Sequence, residues 1–297
     1  METNIKNWDV EDQEFWSLKG DEIANKNLWA SIPALLLAFS VWIMWGVLVK
    51  YMKEFGFNFG LTQGLVAGTQ EYINALKEVN NLYYTLPAIA GLAGATLRLP
   101  NSFLISLGGG RNVIFVTTAL LLIPAIGTGI ALSDVNSPYL LFAIMALLSG
   151  FGGGNFSSSM SNISFFYPKK MQGYALGMNA GLGNLGVAVM QKTIPFVVSF
   201  SLFGGTVGAI ASAKGAPFEG LQNAAWIWVP LIAFSAFLAF FRMNNVSTGT
   251  PSLPNTITGV SKTLYMVLLG LVAAGVGAFM LIGIPWESFG MKNASMW

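Results

Sequence analysis

Apolar residues in this chain come in long runs separated by polar stretches, and seven runs match the ~30 Å hydrocarbon thickness that a membrane helix must cross. They extend roughly over Leu28 to Met52, Leu82 to Leu107, Asn112 to Leu132, Pro138 to Phe166, Gly173 to Phe203, Ala224 to Met243 and Thr263 to Ile284. A backbone amide left unpaired in lipid costs several kcal/mol, so each run is expected to be a helix or to be shielded by protein. Prolines inside the runs (Pro33, Pro87, Pro100, Pro124, Pro195) then read as kinks tolerated by neighbouring helices. The expected fold is all-α: a polytopic membrane bundle of six helices plus a seventh apolar helix.

The polar intervals give the domain plan. Residues 1–27 form a polar, acidic tail without the basic and apolar regions of a cleavable signal, so the chain is expected to enter the membrane uncleaved. Residues 28–243 make the six-helix block. Residues 244–262, rich in Ser, Thr, Pro, Asn and Gly, read as a linker, and 263–297 as an extra transmembrane segment with a tail. Between the first two runs, the segment Lys53 to Asn81 is unusually long. It reads as a solvated loop, with a short surface helix over the amphipathic stretch Gln70 to Val79 as the alternative. Trp29, Tyr83, Tyr139, Trp226, Trp228 and Trp286 stand near run ends, where an interfacial aromatic belt is expected.

With the N-terminus on the cytoplasmic side, eight Lys and Arg fall inside (Lys6, Lys19, Lys26, Arg111, Lys169, Lys170, Arg242, Lys262). Five fall outside (Lys50, Lys53, Lys77, Lys192, Lys214), so the bias favours that orientation in a plasma or inner membrane.

Composition narrows the chemistry. Only 9% of the residues are charged against 54% hydrophobic, and the formal net charge is +2, so no nucleic-acid partner is indicated. The chain has no Cys and no His, and no Asp or Glu lies within the first six runs. Thiol nucleophiles, imidazole bases, soft-metal sites and intramembrane carboxylates are therefore missing, which argues against an enzyme and calls for no cofactor or metal.

One charge does lie deep in a run. Arg98 sits in Leu97-Arg-Leu-Pro100, where an arginine costs at least ~2.5 kcal/mol and is expected to face the bundle interior beside an anion. With no carboxylate nearby in sequence, that anion is read as the substrate, gripped by two parallel hydrogen bonds from the guanidinium. Snorkelling to the headgroups is the competing reading. The fourth run holds Gly150-Phe-Gly-Gly-Gly-Asn-Phe-Ser-Ser-Ser-Met160, in which Phe156 offers a wall for a flat ligand or simply core packing. The fifth opens with Gly173-Tyr-Ala-Leu-Gly-Met-Asn-Ala-Gly-Leu-Gly-Asn-Leu-Gly186. Gly173, Gly177 and Gly181 recur every four residues, with Gly186 read as near the same face. Asn179 and Gly183 are placed on a neighbouring face, with Asn184 five residues beyond Asn179. These amides suit an anion path, and tight helix packing is the structural alternative. The turn Gly108-Gly-Gly-Arg-Asn112 follows no strand and is not read as a nucleotide loop.

The combination Gly154-Asn-Phe-Ser-Ser-Ser-Met-Ser-Asn-Ile-Ser-Phe-Phe-Tyr-Pro-Lys169 with Gly173 to Val187 resembles the signature of the nitrate/nitrite porter family of the major facilitator superfamily. The likeness extends from Asn7-Trp-Asp-Val-Glu-Asp-Gln-Glu-Phe-Trp16 to Trp226-Ile-Trp-Val-Pro230. It implies that Arg98 clamps a planar anion, nitrate or nitrite, and that Phe156 stacks on it. Asn184, Asn179, Gly177, Gly181 and Gly183 would line the path. It also implies twelve spans in two halves with the site between them, so this chain is expected to carry half a site, completed by a C-terminal half in the same or another chain. The seventh run does not resemble the usual start of that half. Alternating access is the expected mechanism, with exchange preferred to proton symport because the block lacks intramembrane carboxylates. A half-size structural or regulatory module that needs a partner chain is the alternative.

Overall fold

The computed structural model describes residues 3–199 and 220–283. The end of the fifth run at 200–203, Lys214, Trp286 and the tail from 285 onward lie outside the described residues.

Helical structure starts well before the first apolar run. Asp12 caps the first turn by accepting from the backbone N–H of Glu14 and Phe15, and α1 (Gln13–Ile43) follows. After Met44 the chain continues as α2 (Trp45–Glu54). The helix thus begins well ahead of the apolar run at Leu28, because a good N-cap outweighs the polarity of the first turns. Residues 3–12 pack against the bundle and the linker. β1 (Asn4–Ile5) pairs in parallel with β2 (Asn245–Val246), and the Trp8 indole donates to the Phe165 carbonyl at 2.9 Å. Ile5 and Trp8 are buried against Leu28, Phe166 and Val246, so burial of two large apolar side chains ties this strap to the linker.

The long segment after α2 also differs from a solvated loop. Phe57 and Phe59 are buried among Tyr83, Tyr139 and Phe142, and the Tyr83 hydroxyl donates to the Phe57 carbonyl. From Gln70 the amphipathic stretch forms the opening turns of a single helix, α3 (Gln70–Gly108), 39 residues long. Thr69 caps it, accepting from Tyr72 N–H, and no breaker intervenes before Pro87. At 1.5 Å per residue α3 is roughly 58 Å long, so its first turns project beyond a ~30 Å hydrocarbon core.

Four more helices complete the bundle up to the linker: α4 (Gly110–Leu132), α5 (Tyr139–Ser164), α6 (Lys169–Val198) and α7 (Asn223–Arg242). Beyond the linker, α8 (Thr256–Gly283) packs along α3 with Gly270 against Leu97 and Pro100. Six of these helices are long and apolar enough to cross a membrane. The exceptions are α2, with only 10 residues, and α6, with 30 residues but many polar ones, among them Gln172, Asn179, Asn184, Gln191 and Lys192. Helix α6 lies against α1 and α5. The result is the expected helical membrane bundle, a multi-pass membrane protein.

The glycines of α5 explain how closely its core is drawn together. A Cβ at Gly152 would stand 2.1 Å from the Ala38 carbonyl oxygen of α1, and one at Gly153 2.5 Å from Gly94 Cα of α3. Only hydrogen fits at these crossings.

Candidate functional site

Arg98 projects from α3 where α1, α3 and α5 converge. It is half-buried, and its Nε donates to the Gly153 carbonyl of α5 at 3.3 Å. Its guanidinium carbon lies 5.2 Å from the Phe156 ring centroid and 5.3 Å from that of Trp42 on α1, within range of cation–π attraction to both. Phe39 packs on each ring, at 5.9 Å from Trp42 and 6.0 Å from Phe156. Arg98 and Phe156, both singled out in the sequence, are thus brought together. The arginine is held at the glycine-lined crossing.

Trp42 was not foreseen. It fixes the other side of the guanidinium, and its ring is locked: Nε1–H donates to the Ala90 carbonyl at 2.7 Å, and a Cβ at Gly94 would lie 2.3 Å from the indole. An aromatic one helical turn from Phe39 on an otherwise apolar run was the only signal, and such spacing is usual in any core.

A guanidinium carries five N–H donors. Among the described residues only Nε has a partner, so the N–H groups on Nη1 and Nη2 remain available, and no carboxylate pairs with them. Arg111 at the start of α4 shows the contrast. Its Nε donates to the Phe240 carbonyl at 2.6 Å, and its Nη1 donates to Asn112 Oδ1 at 3.2 Å and Thr256 Oγ1 at 3.1 Å. Its guanidinium also lies 4.1 Å from the Phe240 ring. Arg111 is committed to joining α4, α7 and α8, whereas Arg98 is braced by rings and keeps its two-pronged edge uncommitted.

The signature residues of α6 divide into two faces. Gly177, Gly181 and Asn184 form an exposed stripe, and added Cβ atoms at Gly173, Gly177 and Gly181 would meet nothing within 4 Å. The Asn184 amide donates back to the Ala180 carbonyl at 2.8 Å. On the other side, a Cβ at Gly183 would lie 2.6 Å from Leu35 Cγ and one at Gly186 2.0 Å from the Leu36 carbonyl oxygen. Asn179 shares this buried side, donating to Ser159 Oγ at 2.8 Å, and Ser159 in turn bonds Ser31 at 2.8 Å. At ~100° per residue, Gly186 stands about 140° round the helix from Gly181, so its expected place beside the exposed glycines is corrected. Close packing belongs to Gly183 and Gly186, not to Gly173, Gly177 and Gly181. Asn179 is a junction of α1, α5 and α6; its Oδ1 is buried without a hydrogen-bond partner. Neither asparagine has a hydrogen bond to Arg98 in this arrangement.

Comparison with known proteins places this geometry in context. Residues 8–191 match the family model of the Major Facilitator Superfamily. The nitrate/nitrite transporter NarU of Escherichia coli (strain K12) is 40% identical over 277 residues, covering 93% of this chain and 55% of NarU. The probable nitrate/nitrite antiporter NarK2 of Thermus thermophilus is 35% identical over 248 residues, covering 82% of this chain and 51% of that protein. The chain spans about half the length of these curated relatives. The match to NarU is broad enough that α8 cannot lie wholly outside it, which extends the likeness past Pro230. The inward-open xylose transporter XylE from E. coli shares the fold, with a TM-score of 0.54 at 13% identity over 88% of this chain and 57% of XylE.

Proposed function

The chain belongs to the major facilitator superfamily, and from that membership we propose that it is the N-terminal portion of a nitrate/nitrite transporter working by alternating access. The observation that carries the reading is the braced Arg98: a half-buried guanidinium between Trp42 and Phe156, without a carboxylate partner among the described residues and with both terminal nitrogens uncommitted. A small planar oxyanion matches that edge in charge and in shape, accepting two parallel hydrogen bonds while lying against the flanking rings. The relatives' names point to the same two anions.

The remaining half of the site is to come from a second helical half, in the same chain or another. The exposed stripe Gly177, Gly181 and Asn184 is the surface of α6 offered to it, since none of the described residues covers it. Rocking of the two halves around Arg98 would expose the anion alternately to each side. Exchange of nitrate for nitrite is preferred over proton symport, because the helices of this block supply no carboxylate beside Arg98 to relay a proton.

The end at which Glu11 accepts from Lys169 N–H and Asn245 accepts from Arg111 N–H gathers Lys6, Lys169, Lys170, Arg111 and Arg242. That end is assigned to the cytoplasm of a plasma or inner membrane. The test is flux: proteoliposomes carrying this chain with its C-terminal half, loaded with nitrite and diluted into nitrate without a proton gradient, should accumulate nitrate. Absence of flux under any gradient would remove the transport reading in favour of a half-size module, and flux only with a proton gradient would remove the exchange preference.

A further inference from the structure

The helices α1 and α7 pack together so that the middle of α1 stands beside the end of α7. There they are clasped by two reciprocal hydrogen bonds: Asn27 Nδ2 donates to Asn244 Oδ1 at 3.0 Å, and Asn244 N–H donates to Asn27 Oδ1 at 2.8 Å. Next to this clasp the helices leave a groove of about 320 Å³, lined by Asn25, Lys26, Trp29, Ala30, Leu238 and Arg242.

Depth along the helices orders these residues. Trp29 is 58% exposed on the outer surface of α1, and Lys26 precedes it by three residues. Arg242 follows Leu238 by four residues at the end of α7. Each cation's backbone position therefore stands about 4.5–6 Å along the helix beyond the apolar wall of the groove, on the same side of it. From Leu238 the surface of α7 continues into the membrane through the exposed side chains of Phe234 and Leu231. A headgroup pocket thus opens onto a track that an acyl chain can follow.

The charges fit that occupant. Lys26 and Arg242 line the same groove, two like charges whose repulsion an anion between them relieves. The Arg242 guanidinium has no hydrogen-bond or carboxylate partner among the described residues. Asn25 donates to Asp21 Oδ1 at 2.9 Å and accepts from the Tyr167 hydroxyl at 3.0 Å, so the positive charges that line the groove are those of Lys26 and Arg242. Glu22, one turn from Lys26, offsets part of the positive field but does not line the groove.

We propose that this groove between α1 and α7 is a binding site for an anionic phospholipid, with the headgroup phosphate held between Lys26 and Arg242 and an acyl chain lying on α7. Basic pockets between helices at a membrane interface suit such headgroups. The site is separate from Arg98 and does not depend on which anion is transported.

The test uses the purified full chain in detergent, with phosphatidylglycerol and phosphatidylcholine of identical acyl chains as probes and native mass spectrometry as the readout. Retention of phosphatidylglycerol should exceed that of phosphatidylcholine by roughly tenfold or more, as two interfacial cations imply. The Lys26→Gln/Arg242→Gln variant should lose that preference while still melting cooperatively as a folded chain in lipid-free detergent. The exposed single change Arg242→Gln should lose part of it, and Lys262→Gln, at the same end of the molecule, should keep it. No preference in the parent chain, a preference that survives the double change, or an equal loss in Lys262→Gln would overturn the proposal. So would displacement of phosphatidylglycerol by inorganic phosphate at equal concentration, which would assign the groove to a free anion.

Discussion

Arg98 and Phe156, 58 positions apart in sequence, meet with the guanidinium carbon 5.2 Å from the ring centroid, and the same arginine bonds the carbonyl of Gly153, three residues before that phenylalanine. One turn of α5 thus holds Arg98 by both its backbone and its side chain, which fixes the direction of the unused N–H groups.

Replacement Arg98→Lys should reduce nitrate affinity at least ~10-fold while leaving insertion and melting temperature in place, because an ammonium is a point charge and cannot match two oxygens at once. Nitrate binding to the complete transporter by calorimetry checks this; near-parental affinity would refute the clamp.

Trp42 supplies the second ring beneath the guanidinium. Trp42→Leu should weaken nitrate binding by roughly 2- to 30-fold, the range of a cation–π contribution of ~0.5–2 kcal/mol. Trp42→Phe keeps a ring and loses only the bond to the Ala90 carbonyl, about 1 kcal/mol of stability. If the two variants bind nitrate equally, the ring does not act on Arg98.

The two faces of α6 should respond oppositely to the same chemical change. Gly186→Ala drives a methyl to 2.0 Å from a backbone oxygen and should destabilise the chain by about 1–3 kcal/mol or more. Gly177→Ala meets open space and should be neutral or stabilising by up to about 1 kcal/mol, through helix propensity. Thermal melts of the chain in detergent separate them. In the complete transporter Gly177→Ala should nevertheless slow nitrate flux, since the second half is to pack on that stripe.

Tyr167, in the turn between α5 and α6, is buried and donates its hydroxyl to Asn25 Oδ1 at 3.0 Å. Burial, with smaller contributions from Asp21 and Tyr174, raises its pKa above the ordinary value of 10.0. The folded state therefore favours the neutral phenol, and its contribution is complete below pH 10 and is lost as pH rises further, because only the unfolded chain then ionises readily. Tyr167→Phe should cost about 1 kcal/mol at neutral pH for the lost bond. It should also flatten the alkaline decline in melting temperature; an unchanged decline would show that other groups govern it.

The class of this protein was legible in the order of its residues. Twenty-residue apolar stretches have one stable outcome in lipid, a bundle of helices, whatever their neighbours do. Arg98 stood out for the same reason: a charge inside such a stretch must be placed somewhere, and no carboxylate was at hand to explain it. Even the opposite placement of Gly181 and Gly186 is contained in the 3.6-residue turn. Other features were decided only by contacts far apart in sequence. Ile5 and Trp8 look like parts of a polar tail until Val246 and Phe165 are brought beside them. Trp42 is one apolar aromatic among many until Ala90, Gly94 and Arg98 surround it. Arg111, read from sequence as a flanking charge, is consumed by Phe240 and Thr256, while Arg98 keeps its terminal donors. Local periodicity says which residues share a face of one helix; which face meets a neighbour depends on how several helices fill space together, and that lies in no single stretch of the chain.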